Sequence, residues 1–440
     1  MKKSAFVITA LQSGAGKTTV ALALMAALVR RGLRVQPFKT GPDFIDPGLH
    51  RQLTGVNSWN LDRWMCGDAY VKRLFAEKSR GADVCVIEGA MGIFDGGDAS
   101  SAATAKHLAL PVVVALDVRG TAETAAALIK GIEVLDPALI LAGVILNRTG
   151  SDRHYIRVKE AIEAHCNCPV LGHLPIDTGI RIPERHLGLY TAEDGVIRPE
   201  FVQRLSDAVE DSINLDTLLT ASSVDIPPID IPVPLRRAPS VRIGVARDNA
   251  FCFYYEDNFD FLRAAGAEII FFSPLNGAEI PEGVQALYIG GGYPELYAGR
   301  LSSNTPMLQS IKAFALAGGA VYAECGGFMY LSLGIMDIDG RFHPMAGIFP
   351  VKTRMAKKRV RLGYREITLT SESILGQPGS TARGHEFHYS EMEQMPPSVE
   401  TIYDTAEGTA GYRVQNCVAG YVHLHFASNP AVSEAFTDNL

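Results

Sequence analysis

Ser13-Gly14-Ala15-Gly16-Lys17-Thr18-Thr19 puts small residues, one lysine and a run of hydroxyls into a single short loop. Small side chains let backbone N–H groups approach phosphate oxygens, and a helix that starts at the lysine adds a favourable field for an anion. In such a loop Lys17 reaches the β- and γ-phosphates of a nucleotide and the Thr18 hydroxyl binds Mg²⁺. Leu11 stands where the usual pattern has its first glycine. Downstream, Lys39-Thr-Gly-Pro-Asp43-Phe-Ile-Asp46-Pro and Glu88-Gly-Ala-Met-Gly each close an apolar run with charge. Carboxyl ends of parallel strands line the ligand crevice of an α/β sheet, so Lys39, Asp43, Asp46 and Glu88 are expected to converge on the nucleotide. Asp46, Glu88 and Thr18 are the expected Mg²⁺ donors, because this ion needs only one or two carboxylates and keeps several waters. Asp43 is expected to orient the acceptor substrate. Proline-bounded aspartates are also ordinary turn formers.

A second set of reactive residues lies far along the chain. Val-Tyr-Ala-Glu-Cys325-Gly326-Gly runs an apolar strand straight into a cysteine followed by glycine. This is the strand–turn–helix elbow that presents a nucleophile, here a thiol. The following helix N-terminus is expected to lower the thiol pKa. Tyr421-Val-His423-Leu-His425-Phe forms another apolar strand, and alternation puts both histidines on one face, so either is a candidate base. Gly291 and Gly292, in Ile-Gly-Gly-Gly-Tyr-Pro-Glu, together with Gly326 are candidate oxyanion donors through their backbone N–H groups.

The elements that must position these groups are legible as alternating strands and helices. Residues 4–10, 34–39, 83–88, 111–117 and 143–147 are short apolar runs, and 17–31 is an alanine- and leucine-rich helix ending at Gly32. Such alternation implies a parallel sheet covered on both faces. Residues 221–240 contain five prolines, which neither a helix nor a central strand tolerates. The segment is expected to be an extended linker between a nucleotide domain at 1–220 and a second α/β domain at 241–440. A net charge of −7 without a basic run argues against a nucleic-acid binder. The apolar N-terminal run leads into the phosphate loop rather than a cleavage site, and nothing approaches a membrane span. Seven scattered cysteines do not suggest a disulfide framework, so a cytoplasmic enzyme is expected. Cys166 and Cys168, near His165 and His173, are better read as a turn than as a metal site. Gln12 occupies the position at which partition ATPases carry a second lysine, which separates this chain from them.

Taken together, SGAGKTT, PFKTGPDFIDP, EGAMGIFDG, IPERHLGL, IGGGYPE, AECGGFMYL, GHEFHYS and YVHLHF resemble the cobyrinate a,c-diamide synthase family over nearly the whole chain. The first half resembles the dethiobiotin synthetase group of P-loop enzymes. The second half resembles a class I glutamine amidotransferase domain. The resemblance implies a ligase that uses ATP and Mg²⁺. Glutamine is hydrolysed at Cys325, acetate carboxylates of cobyrinate are phosphorylated, and ammonia displaces the phosphate. It also implies that His423 is the base, with His425 second, and that Asn147 reads adenine. Many class I relatives carry His-Pro-Glu, whose glutamate completes a triad. Here Leu424 and His425 follow His423, so the third member is left open. Arg181, Arg185, His186, His385 and His388 are expected to meet a tetrapyrrole rich in carboxylates. Sirohydrochlorin, its nickel complex, sirohaem and hydrogenobyrinate are alternative substrates, and a non-catalytic ATP-dependent regulator is a more distant reading. The expected partners are the tetrapyrrole, glutamine and a second copy in a homodimer.

Overall fold

The computed structural model describes residues 2–176, 178–182, 184–185, 188–227, 237–358 and 360–440. The chain divides into two compact units, Met1–Ile231 and Pro232–Leu440. Of the expected linker, residues 228–236 lie outside the described residues, and Ser223–Asp225 forms a short strand.

In the first unit, β1 (Lys2–Thr9), β2 (Val35–Thr40), β3 (Trp59–Leu61), β4 (Val84–Glu88), β5 (Val112–Asp117), β6 (Leu141–Thr149) and β7 (Val170–Pro175) form a sheet in the order β3-β2-β4-β1-β5-β6-β7. All neighbours along this path run parallel, and Ser223–Asp225 pairs antiparallel with the start of β1. The path reverses direction around β1, so the loop after β1 opens at a switch point of the topology, where α/β sheets bind ligands. Helix α1 (Lys17–Arg30) is buried from Val20 through Leu28. It packs on β4 and β2 on one side and on α2 (Ile45–Thr54) and the Pro199–Ser212 helix on another. A helix covered from several sides reads as apolar all round, which is why Ala and Leu fill it rather than a stripe.

The second unit begins with the parallel strands Val241–Ala246, Ala267–Phe272, Ala286–Ile289 and Ala320–Glu324. Cys417–Gly420 then adds parallel to Ala320–Glu324. Beyond it the sheet turns antiparallel through Gly408–Val414, Glu400–Thr405, Arg361–Leu369, Thr381–His388 and Val422–Leu424. Two apolar clusters cover its faces, one around Phe328 and Phe349 and one around Phe259 and Tyr403. Among the described residues no helix is long and apolar enough to cross a membrane.

Leu24 is fully buried in the layer that fixes α1. Leu24→Ala is expected to destabilise the first unit by about 2–5 kcal/mol, the usual cost of a leucine-sized cavity. Denaturant unfolding of the full chain, followed by a probe in the first unit, checks it.

Candidate functional site

The phosphate loop follows β1 and leads into α1. Gly14 and Gly16 have φ of 77° and 89°, the left-handed region that glycine enters without penalty. Ser13 and Gly14 are exposed, Ala15 and Lys17 are buried, and Gly16 caps α1. Lys17 folds back along the loop, and its Nζ donates to the carbonyls of Met91 and Gln12. Burial, and then the nearby Lys39, lower its pKa. A phosphate entering the loop would relieve both effects.

Lys39, Asp46 and Glu88 converge as expected, in a cluster with almost no solvent exposure. Lys39 Nζ lies 2.6 Å from Asp46 Oδ2 and 3.1 Å from Glu88 Oε1. Thr18 Oγ1 donates to Glu88 Oε1 at 2.7 Å. His50, which the sequence reading did not single out, closes the group from α2: Nε2 is 2.8 Å from Glu88 Oε2, and Nδ1 is 3.0 Å from Ser58 Oγ. Burial works against the lysine's charge, but Asp46 and then Glu88 outweigh it and hold the pKa above the ordinary lysine value. Burial also opposes the Glu88 charge, and Lys39 and His50 outweigh it in turn, so Glu88 stays ionised. Asp46 is the member that resists ionisation. Burial, then Asp43 and Glu88, raise its pKa in spite of Lys39. Among the described residues its Oδ1 is buried without a hydrogen-bond partner.

These donors fit Mg²⁺. The ion takes hard oxygen ligands, and the orphaned Asp46 Oδ1, the Glu88 carboxylate and the Thr18 hydroxyl are of that type. Asp43, expected to orient the substrate, stands just before α2. Its Oδ1 accepts from Ile45 N at 2.8 Å and Asp46 N at 3.0 Å, a local turn that starts α2. Asn147 Nδ2 donates to Ala15 O at 2.8 Å, and a Cβ on Gly16 would come within 2.3 Å of it. Asn147 therefore braces the loop from β6. Arg148 adds a second brace, to Gly14 O at 2.8 Å. Arg181 is exposed, Arg185 lies in the short strand Glu184–Arg185, and His186 lies outside the described residues.

In the second unit Cys325 sits at the turn between Ala320–Glu324 and the helix Gly326–Leu331, with φ 49° and ψ −104°. Its backbone N–H donates to Gly420 O at 2.7 Å, and its Sγ lies 3.7 Å from Phe387 O. The thiol pKa is not lowered as the helix N-terminus suggested. Burial, and then Glu295, push it well up, and the opposing Gly326 N–H is outweighed. The helix is only six residues long, so its field is short.

The two histidines part company. The strand ends at Leu424, and His425 caps the next turn. His425 Nε2 faces Asp257 Oδ2 at 3.7 Å and its ring packs 4.6 Å from Tyr255, so the expected same-face pair is not formed. His423 stays in the strand, with its ring against Gly291, where a Cβ would meet Cε1 at 2.3 Å. Gly292 N lies 3.1 Å from the Cβ position of Gly326. The glycine loop, the elbow and His423 are thus packed together. Burial, then His385 and His388, push the His423 pKa down to about 3, so the ring is held neutral. His385 pairs with His423 across the sheet. His388, expected to meet the tetrapyrrole, has Nδ1 on Ser390 O at 2.7 Å and Nε2 on Glu386 Oε1 at 3.0 Å, and it stacks on Tyr421. Both its nitrogens are committed beside Cys325.

The family model described as the CobQ/CobB/MinD/ParA nucleotide binding domain matches residues 6–189, and that of the CobB/CobQ-like glutamine amidotransferase domain matches 242–431. A cobyrinate a,c-diamide synthase from Salmonella typhimurium is 42% identical over 97% of this chain and 96% of its own. One from Picrophilus torridus is 43% identical over 99% and 98%. A solved glutamine amidotransferase aligns with 44% of this chain and 97% of its own at 16% identity and a TM-score of 0.34, a likeness that carries no chemistry. With a nucleotide-binding half, an amidotransferase half and full-length relatives of one kind, the chain belongs to the cobyrinate a,c-diamide synthase family of glutamine-dependent amide-forming ligases.

Proposed function

We propose that this chain amidates the a and c acetate side chains of cobyrinate, each through an acyl phosphate, with ammonia drawn from glutamine at Cys325. The carrying observation is that one chain holds both halves of the chemistry: the Lys17–Thr18–Lys39–Asp46–Glu88 cluster and the Cys325–His423–glycine-loop cluster.

At Cys325 the thiol proton passes to the neutral His423 ring as sulfur attacks the glutamine side-chain carbonyl. The developing oxyanion meets N–H groups of Gly291, Gly292 or Gly326. The proton then leaves with ammonia, and water hydrolyses the thioester to glutamate and free thiol. With its pKa raised by burial, the thiol ionises only as the base takes its proton. In the first unit the γ-phosphoryl of ATP moves to a substrate carboxylate and gives ADP and an acyl phosphate. Ammonia then displaces inorganic phosphate and leaves the amide. Lys17 and Lys39 hold the phosphoryl oxygens, while Asn147 and the loop N–H groups orient the nucleotide. Mg²⁺, held by Thr18, Asp46 and Glu88, would neutralise charge on the phosphates. Arg181, Arg185 and His186 are proposed as contacts to the carboxylates of the tetrapyrrole. His385, across the sheet from His423, and His388, bound beside Cys325, instead belong with the glutamine site.

Incubating the enzyme with ATP, Mg²⁺, glutamine and a panel of tetrapyrroles, and counting mass shifts, tests the substrate. Conversion of two carboxylates of cobyrinate to amides, with no change in the other tetrapyrroles, is the expected result, and conversion of a siro-tetrapyrrole instead would replace it. Cys325→Ala is expected to abolish glutamine-dependent synthesis and leave ammonia-dependent synthesis within about threefold, because only the thiol site needs glutamine. Lys17→Ala and Glu88→Gln are expected to lower synthesis at least 10²-fold with either nitrogen source, since each removes charge that stabilises phosphoryl transfer. Asp46→Asn is expected to slow ammonia-dependent phosphate release at least tenfold, about 1.4 kcal/mol. Asp43→Asn is expected to cost little, because an asparagine oxygen accepts the same two backbone N–H bonds.

A further inference from the structure

The proposed glutamine site has a nucleophile and a base, and the two residues directly after His423, Leu424 and His425, are not carboxylates. The structure brings one from the other direction. Glu324, the residue immediately before Cys325, is fully enclosed. Its Oε2 lies 3.8 Å from His423 Nδ1. Its remaining contacts are neutral donors: Tyr322 OH at 2.7 Å and Leu424 N at 2.9 Å on Oε1, and Tyr288 OH at 2.8 Å on Oε2.

We propose that Glu324 is the positioning carboxylate of a Cys325–His423–Glu324 triad, holding His423 through Nδ1 so that Nε2 takes the thiol proton. The inference rests on the reading of Cys325 and His423 as the glutamine-hydrolysing pair.

Three observations carry it. First, the separation of 3.8 Å is beyond a formed hydrogen bond, but catalytic pairs without ligand are commonly loose and tighten in the complex. Second, the same carboxylate bonds the backbone N–H of Leu424, next to the base, while its own backbone continues into the nucleophile. One residue therefore sets the position of both partners. Third, the competing carboxylate is already committed. Glu386 also influences the His423 ring, but it pairs with Arg365 at 2.7 Å and with His388 at 3.0 Å. Among the described residues no lysine or arginine pairs with Glu324, so its ionised form faces the His423 ring and can stabilise an imidazolium there.

The titratable groups facing Glu324 are Tyr254, Tyr288, Tyr322, Tyr403, Cys325 and His423. Burial raises its pKa to about 7, against the hydrogen bonds from Tyr322, Leu424 N and Tyr288. Those donors favour the ionised form that the role needs.

Glu324→Gln separates positioning from scaffolding, because a glutamine keeps acceptors for Tyr322 and Leu424 N and a partner for Tyr288 but carries no charge. The expected result is a glutaminase kcat lowered about 10²-fold with KM for glutamine within about threefold, and ammonia-dependent synthesis unchanged. Glu324→Asp should recover at least tenfold over the glutamine variant. Tyr288→Phe tests the same point in a chain that keeps the carboxylate. Loss of a donor raises the Glu324 pKa, so the acid limb of the glutaminase pH profile should move to higher pH. A glutaminase kcat within threefold of wild type in folded Glu324→Gln overturns the proposal. So does equal loss of glutamine- and ammonia-dependent synthesis, or, if Glu324→Gln does not fold, an unmoved acid limb in Tyr288→Phe. Cys325→Ala run alongside distinguishes the two levels. If that variant still hydrolyses glutamine, the underlying pair is wrong; if it is inactive while Glu324→Gln is not, only the third member is wrong.

Discussion

A parallel strand buried on both faces tolerates ionised side chains only where it ends, because inside the sheet neither water nor a partner is available to a charge. Both units obey this constraint, and their chemistry follows from it. In the first, β2 ends in Lys39 and Thr40 and β4 ends in Glu88. Parallel register sets Lys39 beside Glu88, so the two opposite charges meet at one level of the sheet. In the second, the strand Ala320–Glu324 ends in a carboxylate and passes directly into the nucleophile.

Burial has opposite consequences for these groups, depending on what surrounds them. Lys39 and Glu88 keep their charges because each has a counter-charge within 3.1 Å. Removing one partner from such a pair leaves the other uncompensated, which costs far more than the pair contributes. Asp46 is the excess negative group, and the cluster resists its ionisation. At Cys325 burial and the nearby Glu295 outweigh the Gly326 N–H, so the field of a short helix loses to desolvation. A thiol in this setting is held in reserve until a base takes its proton.

Much of this was legible in the chain. Apolar runs ending in Lys39, Glu88 and Cys325 marked strands whose carboxyl ends carry function, and small residues before Lys17 marked the loop. His50 was missed although its signal was present: Asp46 and His50 are four apart, hence on one face of α2. A lone histidine in a helix reads as ordinary until the neighbouring strand end is known. The antiparallel half of the second sheet was not legible either. Strands such as Arg361–Leu369 face solvent on one side and lack the unbroken apolar run of a buried strand. His425 was misplaced because alternation holds only while the strand lasts, and this strand stops one residue earlier. Glu324 stood in a quoted motif but was read as part of the elbow, since nothing in sequence places it against a strand one hundred residues away.

The elbow shows how position and reactivity are set by different means. A non-glycine residue at φ 49° with ψ −104° is strained, and such strain persists only where the surroundings over-determine it. Here they do. Cys325 N–H is held by Gly420 O, and Met329 N–H returns to Cys325 O. At Gly327 a Cβ would fall 2.1 Å from Ile289 O, so the helix after the nucleophile sits against the strand before the glycine loop with no room for a side chain. Backbone packing alone therefore fixes where the sulfur is. It does nothing to ionise it, since the same close packing removes the water that a thiolate would need. Reactivity has to come from a group that can take the thiol proton within the enclosed space, the role proposed above for His423 with Glu324 behind it. Close packing at the elbow and a base of this kind are two answers to one problem, and neither would serve without the other.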